Sequence, residues 1–280
     1  MVMSPTGWSL NPVLLSSPRV TILHRGKVVI YDLKKDIRYT LTQPWDRSAD
    51  ELAVRLGITV VFRGQSLNVL QFSQESTFLY LTAGDHARSK LFVLPIPDTP
   101  DESTTHPSLP PKYFTPQPLT QNGAVSAIQI LSNDRLMFSR SSLQGPNDVF
   151  VIHGLQELEA DFVKTQGDFK WNGTPEQITR FTEKALVGKT LRPPEDFYFE
   201  GAEGKQVHGF VVKPYGWKEG DKRKWPGLLL IHGGTTTLAN PMYVQYAEEV
   251  YRPSRSLERP VVHEVEPKRI CTTGVFCRGN

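Results

Sequence analysis

The chain has 280 residues, with 39% hydrophobic and 22% charged side chains, which leaves room for about two ordinary domains or one large repeat domain with part of another. Its 32 basic and 29 acidic residues give a formal charge of +3, too little to build the field that nucleic-acid binding needs. No apolar run approaches the ~18 residues of a membrane span, so neither nucleic acid nor a membrane is an expected partner. The 22 prolines and 21 glycines predict many turns, and with them many short strands.

Residues 1 to 18 carry no Lys or Arg, and Val13-Leu14-Leu15 is their only apolar run. No signal peptide is visible there, which leaves a cytoplasmic location open. Cys271 and Cys277 are the two cysteines, too few for a disulfide framework.

A strand-turn-strand unit then recurs. Val28 to Leu33, the charged turn Lys34-Lys35-Asp36 and Arg38 to Thr42 predict a β-hairpin. Phe78 to Thr82, a polar turn at Gly84-Asp85 and Lys90 to Leu94 predict a second. Ala127 to Ile130, the turn Ser132-Asn133-Asp134 and Leu136 to Ser139 make a third, closed by Asp148 to Ile152, with Asn147-Asp148 read as a turn. Equivalent strands are expected roughly sixty residues apart, somewhat longer than the ~40 to 50 residues of a β-propeller blade. Two insertions account for the excess, Arg55 to Leu70 and the Pro-rich stretch Pro95 to Pro118. An ordinary antiparallel sandwich is the alternative. Trp45-Asp46, at a predicted blade turn, reads as structural.

Leu155, Leu158 and Phe162 suggest a short helix or an outer loop. Asn172-Gly173-Thr174 is a glycosylation sequon with Asn172 as acceptor, relevant only to a secreted chain. Phe197 to Glu200 and Val207 to Val212 flank the turn Gly201 to Gly204 and predict an aromatic-rich hairpin. Leu228 to Ile231 is a continuous apolar run, as expected of a strand buried on both faces.

That run ends in His232-Gly233-Gly234. In α/β-hydrolases a strand of this kind delivers a Gly-rich turn whose backbone N–H groups help bind an oxyanion. Without a Cβ, glycine lets the backbone approach a reacting carbonyl closely. His232, Gly233 and Gly234 are therefore the oxyanion-turn candidates, although the three residues alone equally fit a strand-ending turn with a packed histidine.

The segments Phe197 to Lys205, Val207 to Pro214, Gly216-Trp217-Lys218 and Lys224 through Gly234 resemble the fungal dipeptidyl-peptidase V group of the prolyl oligopeptidase family. Upstream, Leu41-Thr42 with Trp45 to Ser48, Tyr80 to Ala83, and Gln177 to Thr182 resemble that family's propeller, so the likeness runs from about Lys27 to Gly234. It implies a seven- or eight-bladed propeller capping an α/β-hydrolase, and a secreted serine peptidase whose Ser-Asp-His triad releases dipeptides from oligopeptides. Peptides are the implied partners, and no cofactor is implied.

The sequence departs from that pattern after Gly234. Thr235-Thr236-Thr237-Leu238 stands where the family continues through proline, and no G-x-S-x-G elbow occurs anywhere in the chain. Ser9, Ser48, Ser139 and Ser254 lack an elbow context, and neither His208 nor His263 is assignable as a base. The catalytic triad is thus expected to be absent, as though the hydrolase domain were cut off before its serine. Seven histidines and two cysteines include no zinc-spaced pair, so no metal is expected.

The expected fold is mainly β: a partial β-propeller followed by the beginning of an α/β-hydrolase domain. Residues 1–190 are assigned to about three blade equivalents, 191–234 to the start of the hydrolase domain and 235–280 to a divergent, disordered tail. The expected function is that of a serine-type dipeptidyl-peptidase homologue, inactive as this chain stands. The alternative is a non-catalytic propeller module that binds partners through its loops.

Overall fold

The computed structural model describes residues 19–24, 27–46, 70–166 and 168–220, together with 222, 223, 225 and 227. The chain is mainly β, with thirteen described strands: β1 (Arg19–His24), β2 (Lys27–Asp32), β3 (Ile37–Thr40), β4 (Leu70–Phe72), β5 (Phe78–Asp85), β6 (Arg88–Pro95), β7 (Gln117–Pro118), β8 (Ala124–Leu131), β9 (Arg135–Ser142), β10 (Gly145–His153), β11 (Glu176–Gln177), β12 (Glu195–Glu200) and β13 (Gln206–Val211). The described α-helices are α1 (Leu155–Thr165) and α2 (Glu183–Leu186), with 3-10 turns at Pro111–Phe114 and Ala202–Gly204. None is long and apolar enough to cross a membrane.

Strands β1-β2-β3 form an antiparallel sheet of three. β4-β5-β6 continues antiparallel into β7, and β8-β9-β10 continues antiparallel into β11, so each group is a four-stranded meander. A single parallel bridge, Ser89↔Ala124, joins the two. Strands β12 and β13 make a separate ribbon. Among the described residues no sheet closes into a ring. The equivalent strands β2, β5 and β9 begin at Lys27, Phe78 and Arg135, 51 and 57 residues apart, a shorter period than the sixty expected.

The alternation of side chains along β5 and β6 divides the core in two. Leu79, Leu81, Ala83, Phe92 and Leu94 pack with Val28, Ile30 and Tyr39 of the first sheet and with Leu41 and Trp45 just after it. Phe78, Tyr80, Leu91 and Val93 point the other way, against Val125, Ile128, Leu136, Phe138, Phe150 and Ile152. The middle meander is therefore sandwiched between its neighbours. That double burial is why β5 and β6 read as unbroken apolar runs instead of alternating ones.

The predicted hairpins stand where expected, with one displacement. The β5–β6 turn lies at His86-Ala87, where both residues have positive φ (50° and 56°), because pairing runs on to Asp85↔Arg88. A two-residue turn with both central φ positive suits the strand twist, and Asp85 anchors it by accepting hydrogen bonds from Lys90 Nζ (2.7 Å) and pairing with His86 Nδ1 (2.6 Å).

Asn147-Asp148 is not a turn. Both residues lie in β10, and Asp148 is buried. Its Oδ1 accepts from Thr179 Oγ1 (2.9 Å) and the Phe181 amide (3.0 Å), and its Oδ2 accepts from Gln177 Nε2 (3.1 Å). Read as a turn former, this carboxylate instead fastens the 177–181 segment to the edge of the meander.

The Pro-rich stretch also has a structural task. Thr104 bridges Tyr39, the Thr40 amide donates to Thr105 O (3.1 Å), and Thr99 Oγ1 donates to Asp32 Oδ2 (2.6 Å). It thereby covers the open edge of β3, where unpaired backbone groups would otherwise face outward. Trp45 is core, edge-on to Phe92 at 5.1 Å between ring centroids.

Helix α1 buries Leu155, Leu158 and Phe162, the i, i+3, i+7 stripe the sequence shows. Its N-terminus carries Gly154 in a left-handed conformation, with no side-chain cap of its own. Asp134, from the β8–β9 turn, supplies one: its backbone oxygen accepts from the Leu155 amide and its Oδ1 from the Gln156 amide at 2.7 Å.

Candidate functional site

The ribbon presents two faces. Asp196 and Tyr198 of β12 share one with their cross-strand partners Phe210 and His208 of β13. Phe197 and Phe199 occupy the other, with rings stacked at 5.8 Å. Gly209 has a steric reason to be glycine, since a Cβ there would lie 2.6 Å from the Phe197 ring.

The Asp196 face is seated on the β5–β6 turn. Arg88, itself buried, donates from Nη1 to Asp196 Oδ1 and from Nη2 to Asp196 Oδ2, both at 2.8 Å. Its guanidinium also lies 4.9 Å from the Phe210 ring centroid. His208 Nε2 donates to Asp196 Oδ1 at 2.7 Å. The His86 ring stands edge-on to His208 at 5.6 Å and to Tyr198 at 6.3 Å. The Arg88 guanidinium beside it, helped by His208 and opposed by partial burial, holds the Asp196 carboxyl down at about 2.

A carboxylate orienting an imidazole is two-thirds of a hydrolytic triad. Here the third part is lacking: among the described residues no serine or threonine hydroxyl is hydrogen-bonded to His208. Asp196 is moreover neutralised by a two-pronged arginine, a geometry suited to fixing two elements together. The cluster holds the ribbon to the meander. No group of three or more His, Cys, Asp or Glu among the described residues is placed to hold a metal ion.

The oxyanion-turn candidates His232, Gly233 and Gly234 lie outside the described residues, as does the Leu228 to Ile231 run. Asn172 is exposed in the coil between α1 and β11. Next to it, Gly173 passes so near the Trp171 indole that a Cβ would sit 2.4 Å away. Sequence reasoning placed His208 in its hairpin but gave it no partner. It passed over Arg88 and Asp196 altogether, because nothing local connects residues 108 positions apart.

No family model matches the chain. It is 28% identical over 171 residues to Dipeptidyl-peptidase 5 of Trichophyton schoenleinii and to Dipeptidyl-peptidase 5 of Arthroderma benhamiae, an alignment covering 61% of this chain and 19% of each of those proteins. The chain thus spans about a fifth of the length of the curated relatives it matches. Among solved structures it is similar to Pyrococcus horikoshii acylaminoacyl peptidase, at 12% identity and a TM-score of 0.41 over 70% of this chain and 24% of that one. It is also similar to TolB from Acinetobacter baumannii, at 12% identity and a TM-score of 0.34 over 72% and 36% of the two chains. This chain is therefore a relative of Dipeptidyl-peptidase 5 over three-fifths of its length.

Proposed function

We propose that this chain is a homologue of serine-type dipeptidyl-peptidases that supplies blade-like scaffold and the ribbon leading to an oxyanion turn, and that its 280 residues alone do not hydrolyse peptides. The single observation that carries this reading is the pairing of peptidase similarity with a sequence in which no G-x-S-x-G elbow occurs. The Asp196–His208 pair is bound to Arg88, and no serine or threonine hydroxyl among the described residues is hydrogen-bonded to His208.

In this reading the meanders β4–β7 and β8–β11 are propeller blades, and β1–β3 is a third. Residues 191–234 begin an α/β-hydrolase domain, with Gly233 and Gly234 at the turn after its buried strand, and 235–280 form a divergent tail. Peptides are the ligand class. The exposed Asn172 takes a glycan if the protein is secreted, as the resemblance implies.

A non-catalytic binding module is the second reading. It is favoured by the two well-packed cores, which assemble from the described strands without any catalytic residue.

Hydrolysis of a dipeptidyl-para-nitroanilide by the purified chain tests the proposal. The expected result is no release of nitroaniline beyond the rate in buffer. Turnover that survives purification and is abolished by a serine-directed inhibitor would overturn it.

A further inference from the structure

A groove of about 360 Å³ lies beside the outer edge of the β8–β11 meander, with Arg140, Gln144, Phe150, Gln177, Arg180 and Thr182 in its walls. That volume falls within the ~300 to 1,000 Å³ usual for small-molecule sites. Its floor is an unusual arginine. The Arg140 guanidinium lies 3.9 Å from the Phe150 ring centroid, half-buried, and makes no hydrogen bond or ion pair among the described residues.

The obvious counter-charge is already engaged. Asp148 is directly opposite Arg140 in the β9–β10 register, yet its two oxygens accept from Thr179 Oγ1, the Phe181 amide and Gln177 Nε2. Burial pushes the Arg140 guanidinium down from its usual range, and no neighbouring carboxylate offsets that effect. A half-buried cation held only by a ring face is left with five unused N–H donors. Such a fork matches a carboxylate, which it binds through two parallel bonds. Arg180 stands exposed in the same wall, its guanidinium also without a partner among the described residues, and adds a second cation. The Gln144 amide and the Thr182 hydroxyl furnish neutral polar contacts, and Leu186 an apolar one. Glu183, also in the wall, is exposed to solvent, where its opposing charge is screened.

We propose that the Arg140–Arg180 groove is a binding site for a carboxylate, borne by a free organic acid or by the C-terminus of a short peptide. Arg140 grips the carboxylate against Phe150, and Arg180 closes over it. This site is remote in sequence from His232-Gly233-Gly234 and does not depend on the peptidase reading.

Calorimetric titration of the full chain with acetyl-dialanine, its C-terminal amide and acetate tests the proposal. Saturable binding of the acid is expected, at least tenfold weaker for the amide, and abolished in Arg140→Met, which keeps the apolar stem over Phe150. Arg180→Ala, at an exposed position where folding is not at stake, is expected to weaken the acid several-fold without affecting the amide. Acetate binding as well as acetyl-dialanine assigns the site to free organic acids, and tighter binding of the peptide assigns it to peptide C-termini; both uphold it. No saturable binding, equal binding of acid and amide, or an affinity unmoved by both substitutions overturns it.

Discussion

Arg88 and Asp196 are 108 positions apart in the chain, and meet through two hydrogen bonds of 2.8 Å each. The pair joins the β5–β6 turn to the β12–β13 ribbon, which by itself is a two-stranded hairpin of a kind only marginally stable in water. Arg88→Ala is therefore expected to loosen the ribbon. Because the Asp196 side chain is 38% exposed, the cost is about 1 kcal/mol and not that of a fully buried pair. Amide exchange at residues 206–211 should quicken several-fold while that of β5 and β6 holds. Equal acceleration everywhere would contradict a local joint.

The same joint sets a pH dependence. The Asp196 carboxyl titrates at about 2 in the folded chain, against about 3.9 when unfolded. A depressed carboxylate stabilises the fold above the unfolded value and loses that contribution as pH falls toward the folded one. Stability measured by urea unfolding should then differ between wild type and Asp196→Asn at pH 6, with the difference shrinking between pH 4 and 2. A difference that stays constant down to pH 2 would rule out this source.

Asp148 is expected to be costlier to remove. It is buried and accepts from three donors in residues 177–181, so Asp148→Ala strands the Thr179 hydroxyl and the Phe181 amide and leaves Gln177 Nε2 only its bond to Thr179 O. The expected loss is about 2 to 3 kcal/mol, with faster proteolysis near Ile178 and Phe181. Arg140 cannot rescue the variant, since a guanidinium offers no acceptor to those donors.

Tyr80 tests the seam between β5 and α1. Its hydroxyl donates to Glu159 Oε1 at 2.7 Å, and burial pushes the Glu159 carboxyl above its ordinary value despite that bond. A raised carboxyl favours the folded state below the unfolded pKa, and that preference is lost as pH rises through the folded value. Tyr80→Phe should cost about 1 to 2 kcal/mol, and Glu159→Gln, which keeps an acceptor without the charge, should cost less than Tyr80→Phe at pH 7. The opposite order, in thermal unfolding, would show that the carboxylate charge itself stabilises the seam.

Much of the β scaffold was legible in the sequence because its signals are local. The charged turn Lys34 to Asp36, the apolar runs of β5 and β6, and the Leu155-Leu158-Phe162 stripe each state their own structure within a few residues. What escaped reading depends on partners far along the chain. Asn147-Asp148 has turn-forming chemistry, but the donors at Gln177, Thr179 and Phe181 draw Asp148 into a strand. Pro95 to Pro118 looked like an insertion because the edge of β3 that it covers lies some sixty residues earlier. At the candidate site, His208 was visible as a hairpin residue, whereas Asp196 and Arg88 became a pair only when the turn and the ribbon were brought together.

The central proposal is that this chain, a relative of Dipeptidyl-peptidase 5, has no working nucleophile of its own. Labelling the purified chain with a fluorophosphonate probe, followed by mass spectrometry of its peptides, tests it most directly. The account predicts no serine modified above the level of a heat-denatured control; stoichiometric labelling of one serine, blocked by a dipeptide substrate, would contradict it.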